Sequence, residues 1–207
     1  MKYWETKIEL FGDNAFHPLT MNDLSVDDIS SLRLGGIYVL PNKDKAGRTL
    51  LFSDRGNWDF RPSHRKSFAR AYWFTIHHAL LNLETQRSGF VLIVSSTRPF
   101  SLSQFDRKMS NIIVGNTMHV LPIRLLAMHL IMESKVVDLF LPFVLWVMGK
   151  KARRKLIPHF GSRDMSIECL SSEFGISANC IPRGIGGMLD FGYGIWLENI
   201  LPSQGVG

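Results

Sequence analysis

The amino-acid sequence predicts an α/β fold in which helices flank a mainly parallel β-sheet. Short apolar runs bounded by Gly and Pro alternate with longer segments of helical periodicity along the 207 residues, a pattern typical of sheets whose strands are joined by helices. In addition, the runs at 90–96 and 123–132 are almost continuously apolar, as expected for central parallel strands that are covered on both faces.

The first two strands are expected to form a hairpin. GGIYVLP (35–41) and RTLLFSDRG (48–56) are short runs bounded by Gly and Pro. The turn NKDKAG, which contains Gly, separates them, and this spacing is typical of a hairpin. A further central strand is predicted at LIPHFG (156–161).

A long helix is predicted to follow the hairpin. It is expected to begin at Pro62-Ser63, with Ser63 as its N-cap, and to end at Gly89. Its apolar residues recur at helical spacing, namely Phe68, Tyr72, Ile76, Leu80 and Leu83.

Two further helices and a tail complete the predicted elements. One helix is expected within 101–122, with Ser101 or Ser103 as its cap, and a short one at 166–175. The Gly-rich tail at 181–203 carries Trp196 and Leu197, which are expected to dock on the core.

Residues 136–155, VVDLFLPFVLWVMGKKARRK, join an apolar block directly to a basic one. As a helix, the uncharged residues 139–148 would cover about 15 Å, roughly half of a bilayer core, so they cannot span a membrane. Two interpretations stay open: a buried core helix, or a helix that meets lipid while the cations at 150–155 face anionic headgroups. The basic run could also be a solvated helix end, since cations interact well with a helix C-terminus.

Composition favours a globular protein with an anionic partner. The net charge is +6 and the hydrophobic content is 45%, so a basic surface and a sizeable core are both expected. No nucleic-acid module is recognisable, and we expect no nucleic-acid partner. The N-terminus has no apolar signal core and the two cysteines make no disulfide framework, which favours a cytoplasmic location.

The sequence lacks motifs for catalysis and metal binding. It has no GxSxG, Walker A or HExxH pattern. His77 and His78 are adjacent and would point to different sides of a helix, and the GIGG at 184–187 is expected to serve a turn. Cys169 and Cys180 are expected to be free thiols. We therefore expect neither an enzyme nor a cofactor nor a metal site.

Five stretches occur in the order and spacing of one known family. They are GGIYVLPNKDKAGRTLLFSDRGNWD, LETQRSGFVLIV, LPIRLLAMHLI, PFVLWVMGKKARRKLIPHFG and IPRGIGGML. In that order they resemble the opening hairpin, the central strand, the next strand, the gate helix with its following strand, and the closing segment of the CRAL-TRIO family of lipid-binding proteins. The resemblance implies a gate helix over an apolar cavity. It also implies a domain at 33–201, with a remnant of a helical N-terminal domain and linker at 1–32 and a tail at 202–207.

The resemblance further implies where a hydrophobic lipid ligand and an anionic membrane would bind. The implied lipid pocket is lined by apolar residues of two strands, of the segment after the first strand and of the gate helix. These residues are Phe90, Leu92, Val94, Phe100, Leu102, Leu126, Met128, Leu130, Phe140, Phe143 and Val144. Which strand residues face the ligand depends on the strand register. The implied phosphoinositide-binding cations are Arg124, Lys150, Lys151, Arg154 and Lys155.

Two functions are compatible with these features. In the first, the protein binds a lipid in its cavity and transfers or presents it at membranes, without covalent chemistry. In the second, it is a membrane-recruited regulatory or scaffold module whose cavity is vestigial. Both predict peripheral association with phosphoinositide-containing membranes, and a lipid bound to the purified protein would distinguish them.

Overall fold

The strands of this protein form one mixed sheet. A computed structural model describes residues 2–97, 106–113, 120–122, 124–132, 141–142, 145–146, 153–191 and 193–200. Within these residues, five strands lie side by side in chain order. They are β1 (Tyr38–Lys43), β2 (Thr49–Asp54), β3 (Phe90–Ser95), β4 (Leu125–Met132) and β5 (Leu156–Phe160). β1 pairs with β2 in antiparallel fashion, and the other neighbours are parallel. The predicted α/β fold class and hairpin are confirmed.

Helices flank this sheet. The described α-helices are α1 (Lys2–Phe11), α2 (Val26–Arg33), α3 (Arg65–Ala79), α4 (Leu83–Ser88), α5 (Arg107–Ser110), α6 (Arg163–Phe174) and α7 (Tyr193–Ile200). α6 begins three residues before the predicted helix because the Ser162 hydroxyl accepts a hydrogen bond from the Met165 amide and caps it. In α5 the Asp106 carboxylate accepts from the Lys108 and Met109 amides. The predicted caps Ser101 and Ser103 lie outside the described residues.

The single long helix predicted from 62 to 89 is wrong. The chain forms a short 3₁₀ turn, Pro62–His64, then α3, and then a separate α4. Asn82 causes the second start, since its side-chain oxygen accepts from the Glu84 amide at 2.8 Å and from the Thr85 amide at 3.2 Å. Gly89 does end α4, with a positive φ of 76°.

Residues 2–33 cover the stretch that was expected to be a remnant of a helical N-terminal domain and a linker. They form α1 and α2, and Leu10, Phe11 and Leu32 are buried in the same core as the sheet. Arg70 of α3 holds α2 in place through a 3.1 Å ion pair with the buried Asp28. Tertiary packing of the apolar faces therefore stabilises helices in a segment whose composition is polar. The domain boundary at 33 stays a prediction.

The closing segment folds back on itself at the GIGG sequence. Gly186 has a φ of 95°, and the Gly187 amide donates to the Pro182 carbonyl at 3.1 Å. The Leu189 amide donates to the Ile181 carbonyl at 2.9 Å, which closes the turn. The predicted turn is confirmed, and the two cysteines are free, as predicted.

Candidate functional site

One face of the sheet collects most of the described residues that the sequence assigns to a lipid pocket. We call it the front face, the side on which the Thr49 hydroxyl lies 2.7 Å from the Thr85 hydroxyl of α4. Side chains alternate along a strand, so the register decides which residues share this side. The register places Phe90 beside Thr49, Leu92 beside Met128, and Val94 beside Leu130. All are buried except Val94, which is half-buried. The front face is therefore a continuous apolar surface across β3 and β4.

The other predicted pocket residues do not all belong to this surface. Leu126 is half-buried and lies at an irregularity, because Phe90 pairs with Leu125 while Val91 already pairs with Ala127. A register irregularity of this kind breaks the simple alternation of side chains, so the face of Leu126 does not follow from its spacing. Phe100, Leu102, Phe140, Phe143 and Val144 lie outside the described residues.

The gate segment, residues 136–148, contributes two leucines that the sequence did not single out for the pocket. Leu141 and Leu145 are half-buried and pack against the core. They are four residues apart and so share a helix face. Pro142 is exposed, and Trp146 is 69% exposed. Spacing could not identify the inward face because every position from 139 to 148 is uncharged and most are strongly apolar.

Cations from three separate stretches of the chain meet at one edge of the sheet. Parallel strands begin at the same edge, so residues that directly precede β3, β4 and β5 become neighbours. Arg124 donates to the Arg87 carbonyl at 3.3 Å, and Lys155 donates from its ammonium group to the Leu125 carbonyl. We call Arg87, Arg124, Arg153, Arg154 and Lys155 the basic edge.

The basic edge brings together three of the predicted phosphoinositide-binding residues. Arg124 and Arg154 are exposed, and Lys155 is half-buried. Lys150 and Lys151 lie outside the described residues. Arg87, also exposed, was missed. Its only signal in the sequence is its position three residues before a predicted strand, in ETQRSG.

A glycine allows the basic edge to form. Gly89 has a positive φ, and a Cβ at this position would lie 2.4 Å from the Arg124 carbonyl oxygen and 3.2 Å from the Arg124 Cβ. Only a residue without a side chain lets β3 begin this close to Arg124. The approach also allows the Phe90 amide to donate to the Arg124 carbonyl at 3.1 Å.

The basic edge also contacts the gate segment. The Arg153 guanidinium donates a hydrogen bond to the Leu145 carbonyl. Because Leu145 packs against the core, this hydrogen bond joins the cations to the inward-packed part of the gate segment. The exposed Trp146 is the next residue along the chain.

A buried histidine pair lies on the opposite side of the sheet, the back face. His129 Nδ1 is 2.9 Å from His159 Nε2, and both rings contact Phe174 of α6. Burial, together with the smaller effects of the nearby His159 and Arg48, lowers the pKa of His129 to about 4. Burial also lowers the pKa of His159, against the opposing effect of Glu173. Sequence reasoning missed the pair because its members lie 30 residues apart.

The histidine pair predicts a pH-dependent stability. Both rings are neutral in the folded protein, whereas the unfolded chain takes up protons below about pH 6.5. Stability is therefore greatest above this pH and falls between pH 6.5 and 4. The loss from His129 amounts to about 3 kcal/mol, since each pH unit between the two pKa values is worth about 1.4 kcal/mol.

Urea unfolding at pH 7.5, 6 and 5 would measure this loss. The double variant His129→Phe/His159→Phe should show a much weaker dependence on pH than the wild type. The dependence that remains is assigned to His77 and His78, whose pKa values burial also lowers. Equal slopes for the two proteins would contradict the assignment.

A surface cleft of about 390 Å³ lies along α6 and away from the front face. Two carboxylates and two hydroxyls contribute to its lining, which comprises Asp164, Ile167, Glu168, Ser171, Ser172, Ala178 and Gly186. This mixed polar lining does not match the predicted apolar pocket. Among the described residues, no three His, Cys, Asp or Glu side chains are placed to hold a metal ion.

The fold and the known relatives identify the class of protein. In the described part of the chain, no helix combines the length and apolar character needed to cross a bilayer. The model of the CRAL/TRIO domain family matches residues 33–187, about three quarters of the sequence. The chain therefore belongs to the CRAL/TRIO domain family, whose members bind and transfer lipids.

Two individual proteins illustrate the relationship. The chain is 24% identical to Clavesin-1 of Xenopus laevis over 167 residues, which cover 79% of this chain and 48% of Clavesin-1. It thus spans about half the length of that relative. The crystal structure of Sfh5 has the same fold, with a TM-score of 0.54 and 12% identity, over 74% of this chain and 59% of that chain.

Proposed function

We propose that the protein binds one hydrophobic lipid between the front face and the gate segment, and presents or transfers it at membranes that contain phosphoinositides. The observation that carries this proposal is the hydrogen bond from Arg153 to the Leu145 carbonyl. It joins the cations that would meet a membrane to the segment that would cover the lipid. Family membership supports lipid binding in general.

Topology supports the position of the lipid. The strands follow one another across the sheet in chain order, and connections between parallel strands are right-handed. Successive connections are then expected on the same face, so the gate segment between β4 and β5 would lie over the front face with α4. Phe90, Leu92, Met128 and Leu130 would form the floor of the pocket.

The apolar character of the gate segment suits a cover that opens at a membrane. In water, exposing Leu141 and Leu145 is unfavourable, and this keeps the cover closed. At a bilayer the same side chains can enter the acyl region, and the exposed Trp146 suits the headgroup boundary. The cover would therefore open where a lipid can be exchanged. No covalent step is needed.

The basic edge would hold the protein on the membrane. A cation close to an anionic leaflet contributes about 1 kcal/mol, so the five cations together would contribute several kcal/mol of salt-sensitive attraction. The expected location is the cytoplasm, with peripheral association to membranes.

Native mass spectrometry of the purified protein would test the bound lipid. We expect a lipid adduct, and Val94→Phe should reduce it about tenfold, since an apolar pocket discriminates at least this strongly against changes of methylene size. Val94 is half-buried on the front face. The matched control is Ile157→Phe, which adds the same ring to a half-buried position beside His129 on the back face. This control should keep the adduct.

Two outcomes would contradict the proposal. If the wild type carries no lipid, and after delipidation takes up none from vesicles, the membrane-recruited module with a vestigial cavity replaces it. If Ile157→Phe reduces the adduct as much as Val94→Phe, the lipid does not lie on the front face.

A further inference from the structure

We propose that Leu81 and Leu83 form a second membrane contact, which inserts into the acyl boundary of an anionic bilayer beside the basic edge. This inference rests on the proposed function and adds the orientation in which the protein docks. We call the two residues the leucine pair. Nothing in the gate segment is needed for this contact.

The leucine pair is exposed on a well-ordered turn between α3 and α4. Leu81 is 58% exposed and Leu83 is 64% exposed. Between them, Asn82 caps α4 through two backbone amides, and Gln86 donates back to the Leu80 carbonyl at 2.7 Å. The turn is therefore held in one shape. A fixed turn thus keeps two apolar side chains in water next to a charged edge.

α4 connects the leucine pair to the basic edge. Leu83 and Arg87 are four residues apart, so they share one face of this helix, and both are exposed. The Arg87 carbonyl in turn accepts the hydrogen bond from Arg124. On the other side of the helix, the buried Thr85 is fixed by the Thr49 hydroxyl. Leucine and arginine side chains are thus presented together on one rigid element.

The charges around this surface identify the partner. Glu84 is the nearest acidic residue along the chain, and it forms an ion pair with Lys43. Its charge is therefore compensated, while Arg87 and Arg124 add positive charge next to the leucines. An anionic bilayer satisfies both features, because leucine enters the acyl boundary while arginine pairs with the phosphates of the headgroup layer just above it. We therefore assign this surface to an anionic membrane.

Vesicle sedimentation tests the leucine pair. The probe is a phosphatidylcholine vesicle that also contains phosphatidylserine and a phosphatidylinositol phosphate. We expect Leu81→Ser/Leu83→Ser to weaken binding about tenfold, which is the effect of removing two partly inserted leucines. The matched control is Val26→Ser/Met188→Ser, which removes two apolar side chains elsewhere that are at least as exposed, and it should bind as the wild type does.

A second ligand separates this inference from the proposed function. Binding of a soluble inositol phosphate should be unchanged in the leucine variant, because the cations remain. Leu83→Trp should strengthen vesicle binding severalfold, because tryptophan favours the membrane–water interface. This variant does not depend on a loss that misfolding could imitate.

Three results would overturn the inference. If the leucine variant sediments as the wild type does, the leucine pair stays in water and the proposed function stands. If the variant also loses the soluble inositol phosphate, the leucines act through the fold and not through the bilayer. If the wild type itself binds no anionic vesicle, both the leucine contact and the docking part of the proposed function fail.

Discussion

Reversing the charge of Arg87 and Arg124 should lower the affinity for phosphoinositide-containing vesicles by about a thousandfold. Each cation near an anionic leaflet contributes about 1 kcal/mol, and a glutamate adds a repulsion of similar size. Arg87→Glu/Arg124→Glu would then cost about 4 kcal/mol, or three factors of ten. Both side chains are exposed, so the change should leave the fold intact. Vesicle sedimentation at two salt concentrations measures the affinity and shows how strongly salt weakens it.

The control for this prediction changes the net charge by the same amount at the other end of the sheet. Lys66 lies in the first turn of α3, after the C-terminal end of β2, and Arg183 lies in the turn whose Gly184 approaches Thr97 after β3. Lys66→Glu/Arg183→Glu should therefore lose much less affinity. Equal losses in the two double variants would mean that only total charge matters and would contradict a docking site at the basic edge.

Gly187→Ala should destabilise the protein by about 3 kcal/mol or more, because the added methyl collides with backbone atoms and not with a side chain that could rotate away. Its Cβ would lie 1.9 Å from the Ile181 carbonyl oxygen and 2.4 Å from the carbonyl carbon. Ile181 cannot retreat easily, since it is fully buried and its carbonyl accepts from the Leu189 amide. Urea unfolding at pH 7.5 measures the loss.

Gly194→Ala is the matched control for Gly187→Ala. Gly194 lies in α7, and a Cβ there has no neighbour within 4 Å. Alanine has a better helix propensity than glycine by up to about 1 kcal/mol, so this variant should be neutral or slightly more stable. If both variants lose the same stability, the loss at Gly187 does not come from the clash with Ile181.

The strands of this fold could be predicted because their apolar runs are short and clearly bounded. The break between α3 and α4 could not, because Leu80 and Leu83 continue the helical spacing of Phe68, Tyr72 and Ile76 across it. The second helix begins because Asn82 accepts hydrogen bonds from its first amides, and the continuous helical spacing around this asparagine hid its capping role. The positions of the helices within residues 2–33 could not be predicted for a different reason, since packing against α3 stabilises them.

The candidate site could be predicted in part. Arg124 and Lys155 could be named because the family resemblance implies them, and parallel pairing of the strands that follow them brings the two positions to one edge. Arg87 was missed because it belongs to the end of a helix, and its approach to Arg124 depends on the conformation of Gly89. Leu141 and Leu145 were missed as inward residues because a helix that is apolar all round carries no sign of its inner face.

The hydrogen bond between Arg153 and the Leu145 carbonyl has a thermodynamic consequence under the proposed function. A headgroup phosphate that binds the Arg153 guanidinium side-on, through its Nε–H, must displace this carbonyl. Headgroup affinity and closure of the cover are then reciprocally linked, by one coupling free energy that has the same value in both directions. A bound lipid that keeps the gate segment closed would shorten the time that the protein spends on a membrane. The protein without lipid would stay there longer.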